Sequence, residues 1–223
     1  MKTRVNQFLI VALIALTAFS CKDEKKNEAE ATAAEEVKEA PVEAVVYNVD
    51  AANSMIEWTG KKPTGEHTGT IKVADGTVKT KYGKVESGNF TIDMTSIEVT
   101  DLEGDEKTSL EGHLKGEGEG KEDHFFNVAE HPTAKFEVTG ISEKDGQTMI
   151  DGNLTIKGKT KNISFPATTS VNDDMMELTS DVFTINRTEW GVNYGSKSVF
   201  ENLGDKFIND DVEVKITVKA KKA

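Results

Sequence analysis

The chain has 223 residues, of which 36% are hydrophobic and 30% charged, and its formal net charge is -12 at pH 7. This length suffices for one domain with a single buried core. The acidic balance argues against nucleic acid or an anionic membrane surface as a direct partner, because both require clustered Lys and Arg.

Residues 1–20 have the pattern of a signal peptide. A positively charged start precedes an apolar run over residues 8–19, which is too short for a spanning helix of about 20 residues. The run ends at Cys21, the only cysteine, and resembles a bacterial lipoprotein signal in which that cysteine is lipidated, although Ala18 stands where Leu is usual. The predicted location is the bacterial cell envelope, with a lipid anchor in the outer membrane, facing the periplasm or the surface. Ordinary secretion with a leftover thiol is the alternative.

Residues 22–44 are rich in acids, lysines and alanines and contain no aromatic residue. Such a segment cannot bury enough apolar area to offset its ordering entropy, so the composition predicts a flexible tether of about 25 Å average span. The predicted organisation is therefore a signal peptide over 1–20, a lipidated cysteine and tether over 21–44, and a folded domain over 45–223.

From residue 45 onward, short runs alternate apolar and polar residues between Gly, Asn and Asp, which is typical of half-buried antiparallel strands. Thr64-Gly65 and Asp75-Gly76 are predicted turns. The clearest strands are predicted at 47–50, 54–61, 67–73, 77–81, 89–94, 148–157 and 212–219. No β–α–β alternation is present, so the pattern indicates an all-β fold.

About eight strands with one apolar face each leave two architectures, a sandwich and a closed barrel. Several strands span ten residues or more, which suits a tall barrel. Large inward residues alternate with Gly152 and Ala167, so the lining is uneven and could leave a cavity. We therefore predict a closed antiparallel β-barrel of about eight strands.

Residues 110–136 interrupt the alternation. Leu110 and Leu114 fit a helix-like turn, and Phe125 is followed directly by Phe126. Adjacent side chains on a strand point to opposite faces, so these two rings can share one interior only on a helical turn or in a loop. The stretch is predicted to be an apolar plug across one end of the barrel.

Several longer motifs resemble the YceI-like family, in the same order and over about residues 46–220. They are YNVD at 47–50, SMIEWTGKK at 54–62, HLK, DHFF and HPTAKF within the plug, GNLTIKGKTKNISFP at 152–166, and NRTEWGVNYGSKSVFENLGDKFI at 186–208. The resemblance implies a lipocalin-like barrel of the cell envelope whose long apolar tunnel holds a polyisoprenoid or a similar long-chain amphiphile. Two departures affect the plug: an insertion over residues 116–121, and His131 where the family commonly has an aromatic residue.

A lipid carrier needs apolar side chains that face a lumen. The predicted ligand-binding residues are Trp58, Phe90, Ile92, Met94, Leu110, Leu114, Phe125, Phe126, Phe136, Leu154, Ile156, Phe165, Arg187 and Trp190. Arg187 would meet a phosphate or hydroxyl head group, or alternatively pair with an acid such as Asp205. Ordinary core packing uses the same apolar residue types, so only a continuous unfilled lumen separates a carrier from a structural lipoprotein with a filled barrel.

Four histidines raise the question of a metal site, since imidazoles with a carboxylate bind zinc. His67, His113, His124 and His131 lack the His-x-x-x-His spacing of a helical site, so we expect no metal and no cofactor besides a bound isoprenoid or fatty-acyl lipid. No nucleophile elbow is present, and we expect no enzyme; a metal-dependent enzyme using the plug histidines is the remaining alternative.

The acidic run over 101–111 is predicted to be a solvated loop. The sequence leaves a monomer and a homodimer open.

Overall fold

The computed structural model describes residues 27–172 and 174–223. The predicted signal peptide and Cys21 lie outside the described residues. Within the described ranges, no helix has the length and apolar character that crossing a bilayer would require.

In the described residues, one antiparallel sheet and one α-helix, α1, account for most of the regular structure. The strands are β1 Thr32–Ala33, β2 Val45–Val49, β3 Met55–Lys62, β4 Gly65–Lys81, β5 Lys84–Val99, β6 Thr133–Lys144, β7 Gln147–Ile156, β8 Lys159–Val171, β9 Met175–Ser180, β10 Phe183–Asn186 and β11 Asp211–Lys222. Helix α1 covers Gly104–Lys115, and short 3₁₀ helices cover Ala51–Asn53, Arg187–Trp190 and Gly204–Lys206.

Eight of the strands form a closed ring in the order β3, β4, β5, β6, β7, β8, β9 and β11, and β11 pairs again with β3. Each of these pairs is antiparallel. Strand β2 lies in line with β3, between β4 and β11, and β10 continues the place of β9 beside β11. Closure pairs the edges that an open sheet would expose. The predicted closed lipocalin-like barrel of about eight strands is therefore confirmed.

Strand β5 shows how the alternating pattern builds the core. Phe90, Ile92 and Met94 are buried inside the barrel, whereas the intervening Thr91 and Asp93 are more exposed. Side chains at successive strand positions point to opposite faces, so one face of the strand packs inward and the other meets solvent.

Gly76 does not form the turn predicted at Asp75-Gly76. Strand β4 continues through this position with a register shift against β5, and the hairpin turn comes later, at Tyr82 and Gly83. A Cβ at Gly76 would lie 2.4 Å from the carbonyl oxygen of Asn89, so glycine is required here for close strand approach. The dipeptide has turn composition, but tertiary pairing of the long strands decides its conformation.

The two ends of the barrel differ. One end carries the β3–β4 turn, α1, the plug and residues 187–210, and we call it the mouth. The opposite, far end carries the β4–β5 and β6–β7 hairpins. The acidic run over 101–111, predicted to be a solvated loop, instead supplies most of α1. Asp105 and Glu106 lie in its first turn, where negative side chains interact favourably with the helix dipole.

Residues 27–35, here called the strap, lie along the seam between β8 and β10 and hydrogen-bond to both strands. The Ala29 amide donates to the Thr184 carbonyl at 2.8 Å, and Ala33 pairs with Lys161 of β8. Ala29 is 3% exposed and joins the hydrophobic core. This docking differs from the free coil expected for residues 22–44, because backbone hydrogen bonds to two strand edges need no large apolar side chains.

Ala29→Asp should lower the free energy of unfolding by about 2 kcal/mol, because it places an unpaired carboxylate in the buried seam. Detachment of the strap limits the loss, since the charge escapes burial when the strap leaves. Urea denaturation measures the effect. Ala34→Asp, at an exposed strap position, is the matched control and should change little. Equal effects of the two substitutions would show that the strap does not dock in solution.

Candidate functional site: an apolar cavity beneath the mouth

A cavity of about 480 Å³ occupies the mouth half of the barrel. Most of its wall is apolar and comes from the inward faces of β3, β4, β5, β6, β7, β8, β10 and β11, with Leu114 of α1 and Phe126 of the plug closing it from above. Lys62 and Lys206 border it at the rim, and both are exposed to solvent. The cavity therefore reaches from the barrel interior to the protein surface at the mouth.

The far half of the barrel is packed. The ring centroids of Phe90 and Phe136 are 6.3 Å apart, and those of Phe136 and Phe165 are 5.6 Å apart. Phe183 stacks on Phe165 with a centroid distance of 4.6 Å. The void in this region measures only about 30 Å³, against about 480 Å³ for the cavity. The cavity is thus closed at the bottom and opens toward the mouth.

Of the fourteen residues predicted to bind a ligand, twelve border this cavity. They are Trp58, Ile92, Met94, Leu110, Leu114, Phe125, Phe126, Phe136, Leu154, Ile156, Phe165 and Arg187. Phe90 lies deeper and borders only the small void. Trp190 is fully buried, and its indole N–H donates to the Leu154 carbonyl at 2.9 Å, so it supports the wall from behind.

Part of the lining was not predicted from the sequence. The missed residues include Ile71, Ala134, Ile163, Phe183, Ile185, Tyr194, Ile208, Val212, Val214 and Ile216. For Val212, Val214 and Ile216 the signal was present in the alternation of the last strand. For Tyr194 and Ile208 no periodic signal exists, because they lie in the irregular segment between β10 and β11.

Gly152 and Ala167 were expected to leave room in the lining, but neither borders the cavity. A Cβ at Gly152 would lie 2.2 Å from the ring of Phe136, so the space beside this glycine is already filled by that ring. The open space lies instead beneath the mouth, where α1 and the plug cover the end of the barrel.

Arg187 is 5% exposed and holds the segment that forms one side of the mouth. Its guanidinium donates to the carbonyl oxygens of Val192 at 2.6 Å, Asn209 at 3.0 Å and Ile208 at 3.2 Å. Burial lowers its pKa, and the nearby Asp210, whose carboxylate is 3.7 Å away, opposes that shift. The alternative role predicted for Arg187, a structural ion pair, is the one observed, with Asp210 in place of Asp205.

Aromatic and imidazole rings from α1, from the plug and from the segment between β10 and β11 meet at the mouth. The His113 Nε2 and His124 Nδ1 atoms are 2.8 Å apart, so one ring donates a hydrogen bond to the other. His124 stacks on Tyr194 with centroids 4.2 Å apart, and His113 contacts Phe125 edge-on at 5.1 Å. The cluster fixes the plug onto the loop. The insertion predicted at residues 116–121 turns away from it, and its residues 117–121 are exposed.

Burial lowers the pKa of His113, and the positive charges of a protonated His124 and of Lys121 lower it further. The unfolded chain then binds more protons than the folded one just below the ordinary histidine pKa of about 6.5. The free energy of unfolding should accordingly show no loss from His113 above about pH 6.5. It should fall as the pH drops from there toward the lowered pKa of His113 in the folded protein.

Chemical denaturation between pH 8 and pH 5 should show this loss in the native chain and a flatter profile in His113→Gln. His131→Gln, which removes a histidine outside the pair, serves as the matched control and should retain the native slope. An unchanged slope in His113→Gln would contradict the assignment.

The four histidines do not assemble into a metal site. His67 hydrogen-bonds to Asp101 at 2.8 Å on the β4 side of the mouth, apart from the His113–His124 pair. In the part of the chain that the structure describes, no group of three or more His, Cys, Asp or Glu side chains could hold a metal ion.

A closed eight-stranded antiparallel barrel with an apolar cavity beneath a helical plug has the architecture of the lipocalin-like barrel proteins. Within this class the chain belongs to the YceI-like family, since residues 47–220 match the YceI-like domain. The resemblance of its motifs to that family is thereby confirmed.

Two relatives show how far the sequence similarity extends. A UPF0312 protein of Azotobacter vinelandii is 34% identical over 83 residues, which is 36% of this chain and 43% of that protein. Protein YceI of Salmonella arizonae is 32% identical over 101 residues, which is 44% of this chain and 47% of that protein. The chain thus matches less than half of each relative's own length.

Two solved structures share the fold. Burkholderia cenocepacia BcnA has a TM-score of 0.59 at 24% identity, covering 77% of this chain and 99% of that one. A polyisoprenoid binding domain from Saccharophagus degradans, described as implicated in plant cell wall breakdown, has a TM-score of 0.55 at 14% identity, covering 80% of this chain and 99% of that one.

Proposed function

We propose that this protein binds an amphiphile with one long apolar chain, an isoprenoid or fatty-acyl lipid, inside the barrel. The observation that carries the proposal is the unfilled cavity of about 480 Å³ with a mostly apolar wall. A structural barrel would be expected to fill this space, because protein interiors are normally packed with few voids larger than a water molecule.

The size of the cavity sets the length of the buried chain. At about 30 Å³ for each non-hydrogen atom, the value for liquid water, 480 Å³ accommodates about 16 carbons. Burial of about 16 methylene groups contributes about 13 kcal/mol at about 0.8 kcal/mol each. Association and ordering cost roughly 4 to 15 kcal/mol, so micromolar binding or tighter is reached at the lower end of that cost.

The fold relationship supports the same ligand class, because one structural neighbour is described as a polyisoprenoid binding domain. The bound lipid would be transported, stored or held for protection against stress. The proposed carrier is a binding protein without catalytic activity, and the enzyme alternative gains no support from the isolated histidine pair.

The proposed site of action is the bacterial cell envelope, with a lipid anchor at Cys21. Asn27, the first described residue, follows Cys21 by six positions. A chain spans at most about 3.5 Å per residue, so the anchor would hold the docked strap within about 21 Å of the bilayer surface. The barrel would then work beside the membrane that supplies its lipid.

The test is to purify the protein without detergent, extract it with organic solvent and analyse the extract by mass spectrometry. We expect a lipid in stoichiometric amount or, for a protein stripped of lipid, uptake of an added isoprenoid quinone or fatty acyl compound. Repeated absence of bound lipid together with no uptake would overturn the proposal.

A further inference from the structure

Apart from Tyr194, the ionisable side chains that border the cavity are all basic. They are Lys61, Lys62, His67, His113, Arg187 and Lys206. Among the described residues, no Asp or Glu borders the cavity. Yet the chain has 39 acidic residues against 27 Lys and Arg, so its average composition would place acids at the rim. The cavity therefore has a basic lining, although the protein as a whole is acidic.

Several of these groups already have partners. Lys61 pairs with Glu213, and the Arg187 guanidinium donates to backbone carbonyls. Lys62 and Lys206 differ, since their side chains are exposed and, within the chain as described, neither has an ion-pair partner. They lie at the same side of the mouth, because the Asn209 amide, three residues beyond Lys206, donates to the Lys61 carbonyl at 2.8 Å.

We propose that the amphiphile carries an anionic head group, a carboxylate or a phosphate, which Lys62 and Lys206 hold at the rim while its apolar chain fills the cavity. This inference rests on the proposed function. Lysine suits the position because its long stem lies along apolar surface while its ammonium reaches an anion at the boundary with water. The apolar wall beneath strengthens the attraction by lowering the local dielectric constant.

The basic lining makes the cavity selective. An anionic head group is attracted where cations and no carboxylate border the apolar wall, so it is held at this rim and not elsewhere on an acidic protein. A neutral amphiphile of the same length gains the apolar contacts but nothing from the two ammonium groups.

The experiment compares four ligands that share one sixteen-carbon chain: hexadecanoate, hexadecyl phosphate, hexadecanamide and hexadecanol. Affinities of the purified protein are measured at pH 8, at low and at moderate salt. We expect the anions to bind about tenfold more tightly than the neutral pair at low salt, with the difference shrinking as salt rises. Preference for hexadecanoate over hexadecyl phosphate, or the reverse, identifies which anion the mouth favours.

The variants are Lys62→Gln, Lys206→Gln and their combination. The double variant should lose the preference for anions and bind the neutral ligands as the native protein does. Lys84→Gln, an exposed lysine at the far end, is the matched control and should leave all four affinities unchanged.

Equal affinity for anionic and neutral ligands, or the same change in Lys84→Gln as in the double variant, would overturn the anionic head group and leave lipid binding standing. Failure of all four ligands to bind, together with no lipid in the solvent extract and no uptake of an isoprenoid quinone, would instead overturn the proposed function together with this inference.

Discussion

Val214→Trp is expected to weaken lipid binding about 50-fold. Val214 lies on β11 between Trp58 and Phe183, borders the cavity and is only half-buried although it faces the barrel interior. The added indole would occupy space that otherwise holds at least about three ligand methylenes, each worth about 0.8 kcal/mol, and every 1.4 kcal/mol is about tenfold in affinity. Titration of hexadecanoate into both proteins measures the change.

The neighbouring Lys215→Trp supplies the control for this substitution. Lys215 points outward from the same strand and makes only an exposed ion pair with Glu57 at 3.8 Å, so its replacement should cost little stability and leave affinity unchanged. Because Val214→Trp fills existing space, its free energy of unfolding should stay close to the native value. Native affinity in Val214→Trp would show that the ligand does not use this part of the cavity.

Arg187→Met should lower the free energy of unfolding by about 3–5 kcal/mol, the range found when one partner of a buried ion pair is removed. The substitution leaves the carbonyls of Val192, Ile208 and Asn209 without their donors and Asp210 without its buried cation. Since these groups fix the segment beside the mouth, ligand release should also accelerate. Urea denaturation and ligand dissociation kinetics test the two effects separately.

Two further variants separate charge from geometry at Arg187. Arg187→Lys keeps the cation opposite Asp210 but cannot reach three carbonyls in different directions, so an intermediate loss is expected. Adding Asp210→Asn to Arg187→Met removes the unpaired carboxylate and should recover part of the stability. A native-like unfolding curve for Arg187→Met would mean that water replaces the guanidinium at all three carbonyls.

The strands were predictable because their signal is local. In β5 the alternation of Phe90, Ile92 and Met94 with polar residues determines which face is buried, whatever the neighbouring strands are. At Asp75-Gly76 the prediction from local sequence is wrong, because the predicted turn does not form there. The same dipeptide suits a turn or a close strand pairing, and the carbonyl of Asn89 on the next strand decides between them.

The sequence predicts which kinds of residue line the candidate site, but not which of the apolar residues border the cavity and which lie below or behind it. Of the twelve predicted residues that border the cavity, eleven face inward from a strand or lie in the plug, as the sequence indicates, and Arg187 lies in the segment after β10. Phe90 and Trp190 have the same apolar character, and only the packing of neighbouring rings and a hydrogen bond to Leu154 shows that they lie behind or below the cavity.

By itself, the sequence of this protein determined an all-β barrel, its plug and its family, because residue order fixes side-chain alternation and motif spacing. The tertiary structure alone decided where the interior stays empty, how the strap at residues 27–35 joins the seam, and that Lys62 and Lys206 stand at one mouth. Volume and charge at a site are sums over residues far apart in the chain, and only folding brings those residues together.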